Sequence, residues 1–101
     1  VSKTILTDSE QFERLLPLAL HAINNRWHFC FKCQEGDVIA FSPFFAEYME
    51  IVSPLPDQEV FDVWDARTDK MILNSITLPA VIAALEAVHR EVKSRSKRYE
   101  Q

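Results

Sequence analysis

Trp27–Phe41, WHFCFKCQEGDVIAF, decides how this chain folds. Trp27, Phe29, Phe31 and Cys33 alternate with His28, Cys30, Lys32 and Gln34, and a period of two places the first four on one face of a strand. Glu35-Gly36-Asp37 is a tight polar break, and Asp37–Phe41 reads as a second strand. With so short a connection the two strands must be antiparallel neighbours.

Upstream, Thr7-Asp8-Ser9-Glu10 has the pattern of a capping box. Phe12, Leu15, Leu16, Ala19, Leu20 and Ile23 then recur at helical spacing and predict an amphipathic helix that covers the sheet. Pro17 inside it removes a backbone donor and predicts a kink or two abutting helices. Asn24-Asn25 supplies a left-handed stop.

Downstream, Ser42-Pro43 breaks the second strand, and Phe44–Glu47 fits a turn of helix or leads straight into a third strand at about Glu47–Val52. Pro54 and Pro56 frame a loop ending at Asp57. A fourth strand spans Glu59–Asp65 and a fifth Lys70–Ile76, joined by Ala66–Asp69 with Asp69 where glycine is usual. Thr77 caps a second helix whose stripe is Leu78, Val81, Ile82, Leu85, Val88 and Val92; it frays into a basic tail at about 94–101.

The order is therefore α-β-β-β-β-β-α: one α+β domain over residues 1–101, a two-layer sandwich of a five-stranded antiparallel meander with both helices on one face. The strands are apolar on their other face as well, where a one-sided sheet would be polar. If Phe61 and Val63 face the helices, Val60, Asp62 and Trp64 face outward. The hairpin then sets Met71 opposite Trp64 and Leu73 opposite Asp62, with Tyr48, Glu50 and Cys30 nearby. Apolar groups rimmed by acids mark a contact surface.

Charge sharpens that reading. The formal net charge is −4, but Glu35–Asp69 holds nine acids against Arg67 alone, a segment charge of −8. Arg90, Lys93, Arg95, Lys97 and Arg98 against Glu91 give the segment Arg90–Arg98 a charge of +4. Aromatic anchors within an acidic field suit a basic protein partner, a second copy of the chain, or both; one form is an acidic inhibitor filling a basic groove. The partner-binding set is Tyr48, Glu50, Asp62, Trp64, Met71 and Leu73. The alternative is nucleic-acid binding through Arg90, Lys93, Lys97 and Arg98, although cations at a helix carboxyl end also serve its dipole.

Catalysis and cofactors find little purchase in the pattern. One glycine, Gly36, excludes a phosphate-cradling loop, so no nucleotide cofactor is expected. Cys30-Phe31-Lys32-Cys33 lacks a second ligand pair, and its thiols point to opposite faces of a strand; His28 and Cys30 share a face but make half a site, so no metal is expected. His21 lies on the polar side of the first helix near Arg14, and His89 borders the stripe of the second. Asp62 and Glu50 are within reach across strands, yet a solvated acidic face explains them more simply than a general acid/base pair. The expectation is a non-catalytic binding protein, with an enzyme site at the sheet edge as the third reading. Two cysteines three residues apart, a polar amino end and no long apolar run predict a reduced, cytoplasmic protein outside the membrane.

Overall fold

The computed structural model describes residues 6–34, 38–53 and 58–99. Along the chain come α1 (Asp8–Asn24), β1 (Phe29–Gln34), β2 (Val38–Pro43), a 3-10 turn (Phe44–Ala46), β3 (Met49–Val52), β4 (Phe61–Asp65), β5 (Lys70–Ile76) and α2 (Leu78–Tyr99). The five strands pair antiparallel in chain order, so the fold is the expected α+β meander in the order α-β-β-β-β-β-α. The Glu35-Gly36-Asp37 turn and the Pro54–Asp57 loop lie outside the described residues.

α1 begins as its sequence dictates. Thr7 Oγ1 accepts the Glu10 amide at 3.3 Å while the Glu10 carboxylate accepts the Thr7 amide at 3.1 Å, a reciprocal cap that contributes about 1 kcal/mol. Pro17 does not divide it: α1 is one helix of 17 residues rather than two abutting ones. Glu13 and Pro17 are both exposed, so the Glu13 carbonyl deprived of its partner lies on the solvent side.

The stop falls one residue later than the Asn24-Asn25 expectation. Asn25 keeps φ at −100°, and Arg26 takes the left-handed conformation at φ 59°. The Trp27 amide donates to the Ala22 carbonyl at 2.8 Å and the Arg26 amide to Ile23 at 3.1 Å. That double bond is the Schellman arrangement, and it turns the chain straight back into β1.

The larger correction concerns the stripe of α1. The helix buries Gln11, Leu15, Leu18, Ala19 and Ala22, and leaves Phe12, Leu16, Leu20 and Ile23 exposed. At about 100° per residue the apolar residues of α1 sweep roughly 200° of arc, twice what one sheet can cover. The sheet takes the half centred on Leu15 and Ala22.

α2 buries the expected stripe, with Val81 and Leu85 fully buried and Leu78, Ile82 and Val88 packed around them, but the helix extends to Tyr99, past the mid-nineties where it was expected to fray. Both helices share one core with Ile39, Phe41, Met49, Ile51, Phe61 and Val63, which places both on the same face of the sheet.

His21, on the polar side of α1, is half-buried against α2. Its Nε2 lies 3.2 Å from Glu86 Oε1 of α2, and its ring meets Trp27 edge-on at 5.1 Å. Trp27 also contacts Phe45 at 5.2 Å and His89 at 5.4 Å, so an aromatic cluster closes the seam between the helices. Arg14 closes the seam's other end by donating to Ser53 Oγ and to the Gln58 carbonyl.

Strand boundaries shift for local reasons. β2 runs on through Ser42 to Pro43, because Pro43, paired with Phe29 in the last position, ends the ladder without needing a donor. The 3-10 turn then reverses the chain into β3. Asp69 holds φ 55° in the β4–β5 turn, as a glycine would. No helix among the described residues is long and apolar enough to cross a membrane.

Candidate protein-binding surface

Strand alternation and register build this surface. Since Ile39, Phe41, Met49, Ile51, Phe61 and Val63 point toward the helices, Ala40, Ser42, Glu50, Val52, Asp62 and Trp64 point to the opposite face, which neither helix covers. Across it run the rows Lys32–Ala40–Val52–Asp62 and Glu50–Trp64–Met71. Ala40, Ser42 and Val52 are closed to solvent, whereas Trp64 and Asp62 are half-buried and Met71 is exposed.

Five of the six proposed contact residues meet here or at its border. Met71 lies directly opposite Trp64. Glu50 is almost fully buried beside Trp64, and Asp62 accepts the Ser75 amide at 2.9 Å. Tyr48 sits at the corner, half-buried against the edge of the core.

Leu73 does not join them. The β4–β5 ladder carries two irregularities, so Leu73 falls opposite Val63 and belongs to the helix-side face rather than opposite Asp62. A bulge adds one residue to one strand and flips the side chains beyond it to the other face; Ser75, at φ 54°, marks the second irregularity.

Two cations on this surface went unforeseen. Lys32 Nζ donates to the Glu47 carbonyl at 3.2 Å, and Ser42 Oγ reaches the same oxygen at 3.0 Å. The Arg67 guanidinium lies 3.7 Å above the Tyr48 ring and donates to both oxygens of Asp65. Arg67 was the lone base of the acidic segment, and two-residue spacing from Asp65 across a turn was the available signal. Asp62 thus places a half-buried carboxylate on this face, while Arg67 neutralises Asp65 at the turn beside it.

Arg67 sets the titration of Asp65. Its side-chain hydrogen bond is the largest cause and holds the Asp65 carboxyl below the ordinary 3.8; burial opposes it, and the Arg67 backbone amide and charge add to the lowering. A carboxyl depressed in the folded state adds stability above its unfolded value, and that contribution is lost as pH falls through the folded one. Arg67→Ala is expected to return the Asp65 midpoint toward 3.8 in a carbon-detected NMR titration. An unmoved midpoint would show that Arg67 is a bystander.

The other candidate groups lie elsewhere. Arg90, Lys93 and Arg95 are exposed along α2, where Arg95 pairs with Glu91 at 3.1 Å; the side chains of Lys97 and Arg98 are outside the described residues. His28 is exposed past the end of the β1–β2 ladder, its ring 6.3 Å from Phe44. Cys30 is half-buried and Cys33 exposed on opposite faces, and no three metal-ligating side chains converge among the described residues. A cleft of about 480 Å³ opens between α1, β4 and the start of α2, lined by Arg14, Pro17, Glu59, Phe61, Thr77, Leu78 and Pro79; among the described residues it brings Glu59 neither a histidine nor a second carboxylate. Compared with family models, with characterised proteins and with solved structures, the chain matches none.

Proposed function

We propose that this chain is a protein-binding module that acts without catalysis and takes a basic partner on the uncovered face of its sheet. The observation that carries the reading is Trp64: a large aromatic on a rigid strand, unshielded by either helix, with Met71 opposite and two acids, Glu50 and Asp62, beside it. Tryptophan on a firm floor is the typical anchor of an interface, and acids around it select and steer a basic partner.

The test is affinity capture from the native cells with wild type, Trp64→Asp, Met71→Lys and Lys93→Glu. Met71 is exposed, so its variant changes the surface and leaves the core alone. A basic polypeptide retained by wild type and Lys93→Glu, and weakened about thirtyfold or more by the two sheet-face substitutions, is the expected result. Retention that ignores Trp64 and Met71, or nucleic acid lost with Lys93→Glu, overturns the proposal.

A further inference from the structure

The flank of α1 turned away from α2 is apolar and uncovered. Phe12, Leu16, Leu20 and Ile23 are 39, 49, 58 and 59% exposed, respectively. Arg14 and His21, which reach toward Ser53 and Glu86, occupy the other flank of the helix. The stripe overhangs β1, where the Phe12 ring meets Phe31 edge-on at 5.0 Å.

β1 is the first strand of the sheet, and among the described residues no strand lies beyond it. Sheet edges are normally blunted by bulges, proline or charge. β5, the opposite edge, has two register irregularities, a left-handed Ser75 and the exposed Lys70. β1 pairs with β2 in unbroken register over six residues and contains no proline. Its single charge, Lys32, is drawn inward to the Glu47 carbonyl.

We infer that β1 and the apolar flank of α1 together form the contact between two copies of this chain, related by a two-fold axis perpendicular to the sheet. β1 of one copy runs antiparallel to β1 of the other and joins two five-stranded sheets into one. α1 lies over β2, where Gln11 reaches the Ile39 amide. The same axis then sets the two α1 helices antiparallel on one side, about three strand spacings or ~14 Å apart. Helices with side chains are about 10–12 Å across, and the Phe and Leu side chains of both stripes, floored by Phe31, fill the remaining space.

Three features select a second copy over a foreign partner. The exposed surface is a strand edge and a helix flank side by side, and this chain presents both at matching spacing; a lone foreign strand or helix would cover one and leave the other. An isologous contact needs a patch that complements itself, as an unbroken strand edge and an apolar stripe do. Antiparallel helices also bring exposed Asp8, in the first turn of one, toward exposed Arg26, just past the end of the other, with their dipoles opposed.

Light scattering and sedimentation equilibrium on the full chain across a dilution series test this. Wild type is expected to reach twice the 11.7 kDa chain mass. Leu16→Glu and Leu20→Glu, at positions already exposed in the single copy, are expected to weaken association about thirtyfold or more, with unchanged circular dichroism. Met71→Lys, on the sheet face, is expected to leave the mass as it is. Hydrogen exchange is expected to show β1 amides protected in the dimer and released in Leu20→Glu. A wild-type chain of single mass at every concentration, a dimer indifferent to Leu16 and Leu20, a dimer lost with Met71→Lys, or β1 amides unprotected in the dimer would each overturn the inference.

Discussion

Phe41→Ala is expected to lower the stability of this protein by about 3–5 kcal/mol, as truncation of a buried aromatic commonly does. Phe41 has no exposed surface and stands mid-sheet, between Phe31 of β1 and Ile51 of β3. Its ring stacks on Phe29 at 5.0 Å and meets Phe31 edge-on at 6.1 Å. Neighbours on both strands and the helices above are held by the rest of the fold, so the vacated space cannot collapse. A domain of this size is stable by roughly 5–10 kcal/mol. The urea midpoint should therefore fall by a third or more, with little change in slope. Leu16→Ala is the matching control when measured at concentrations where the chain is single, since half of that side chain then meets water; it is expected to shift stability by less than about 1 kcal/mol. A small effect at Phe41 together with a large one at Leu16 would mean that α1 is rotated on the sheet.

That control marks the line between what the sequence disclosed and what it withheld. Alternation from Phe29 to Cys33, the hairpin at Ala66–Asp69 and the stripe from Leu78 to Val92 were legible because each is a local period imposed by backbone geometry. Even the glycine-like conformation of Asp69 was visible in the turn length alone. The orientation of α1 was not legible. Its apolar arc is wide enough for two seatings, and the choice rests on Gln11 and Leu18, which a hydrophobic count either omits or leaves outside the stripe. Register along β5 failed for a related reason. Pairing at Trp64–Met71 follows from loop length, but the irregularities that carry Leu73 to the other face depend on neighbours far along the chain. The surface set was readable where it needed only strand parity, at Glu50, Asp62, Trp64 and Met71. It was unreadable where a turn folded back, at Arg67 over Tyr48.

The two proposed contacts occupy different parts of the molecule, and the geometry of one bears on the other. A two-fold axis perpendicular to the sheet leaves the uncovered faces of both copies on the same side of the joined sheet. Two Trp64 sites would then face one direction, and a partner with two basic segments would engage both with an effective concentration set by their spacing. This consequence needs both proposals to hold. Weakened capture by Leu20→Glu, with the intrinsic affinity of the sheet face unchanged, would be its signature.

Gln11→Ala is expected to destabilise by roughly 2–4 kcal/mol, more than its place on an amphipathic helix suggests. Gln11 is 1% exposed and bridges two backbone groups: its amide nitrogen donates to the Leu6 carbonyl at 3.0 Å, and its oxygen accepts the Ile39 amide. β3 pairs with β2 at Ala40 and Phe41, so Ile39 sits past the end of that ladder, and Gln11 supplies the acceptor there. Truncation strands a buried donor and a buried acceptor at once. Gln11→Met separates the two contributions, since it restores most of the volume and none of the hydrogen bonds. Stability close to that of the Ala variant would assign the loss to the unpaired backbone, whereas recovery to near wild type would assign it to packing. Gln11→Glu probes the same two groups through pH. A carboxylate still accepts from Ile39 but repels the Leu6 carbonyl, and a protonated acid serves both, so burial should raise the folded-state pKa above the unfolded ~4.3. With the folded value raised, this variant should match wild type most closely below the unfolded pKa and lose stability as pH rises through the folded one. A flat dependence on pH in that window would show that Gln11 does not hold both groups.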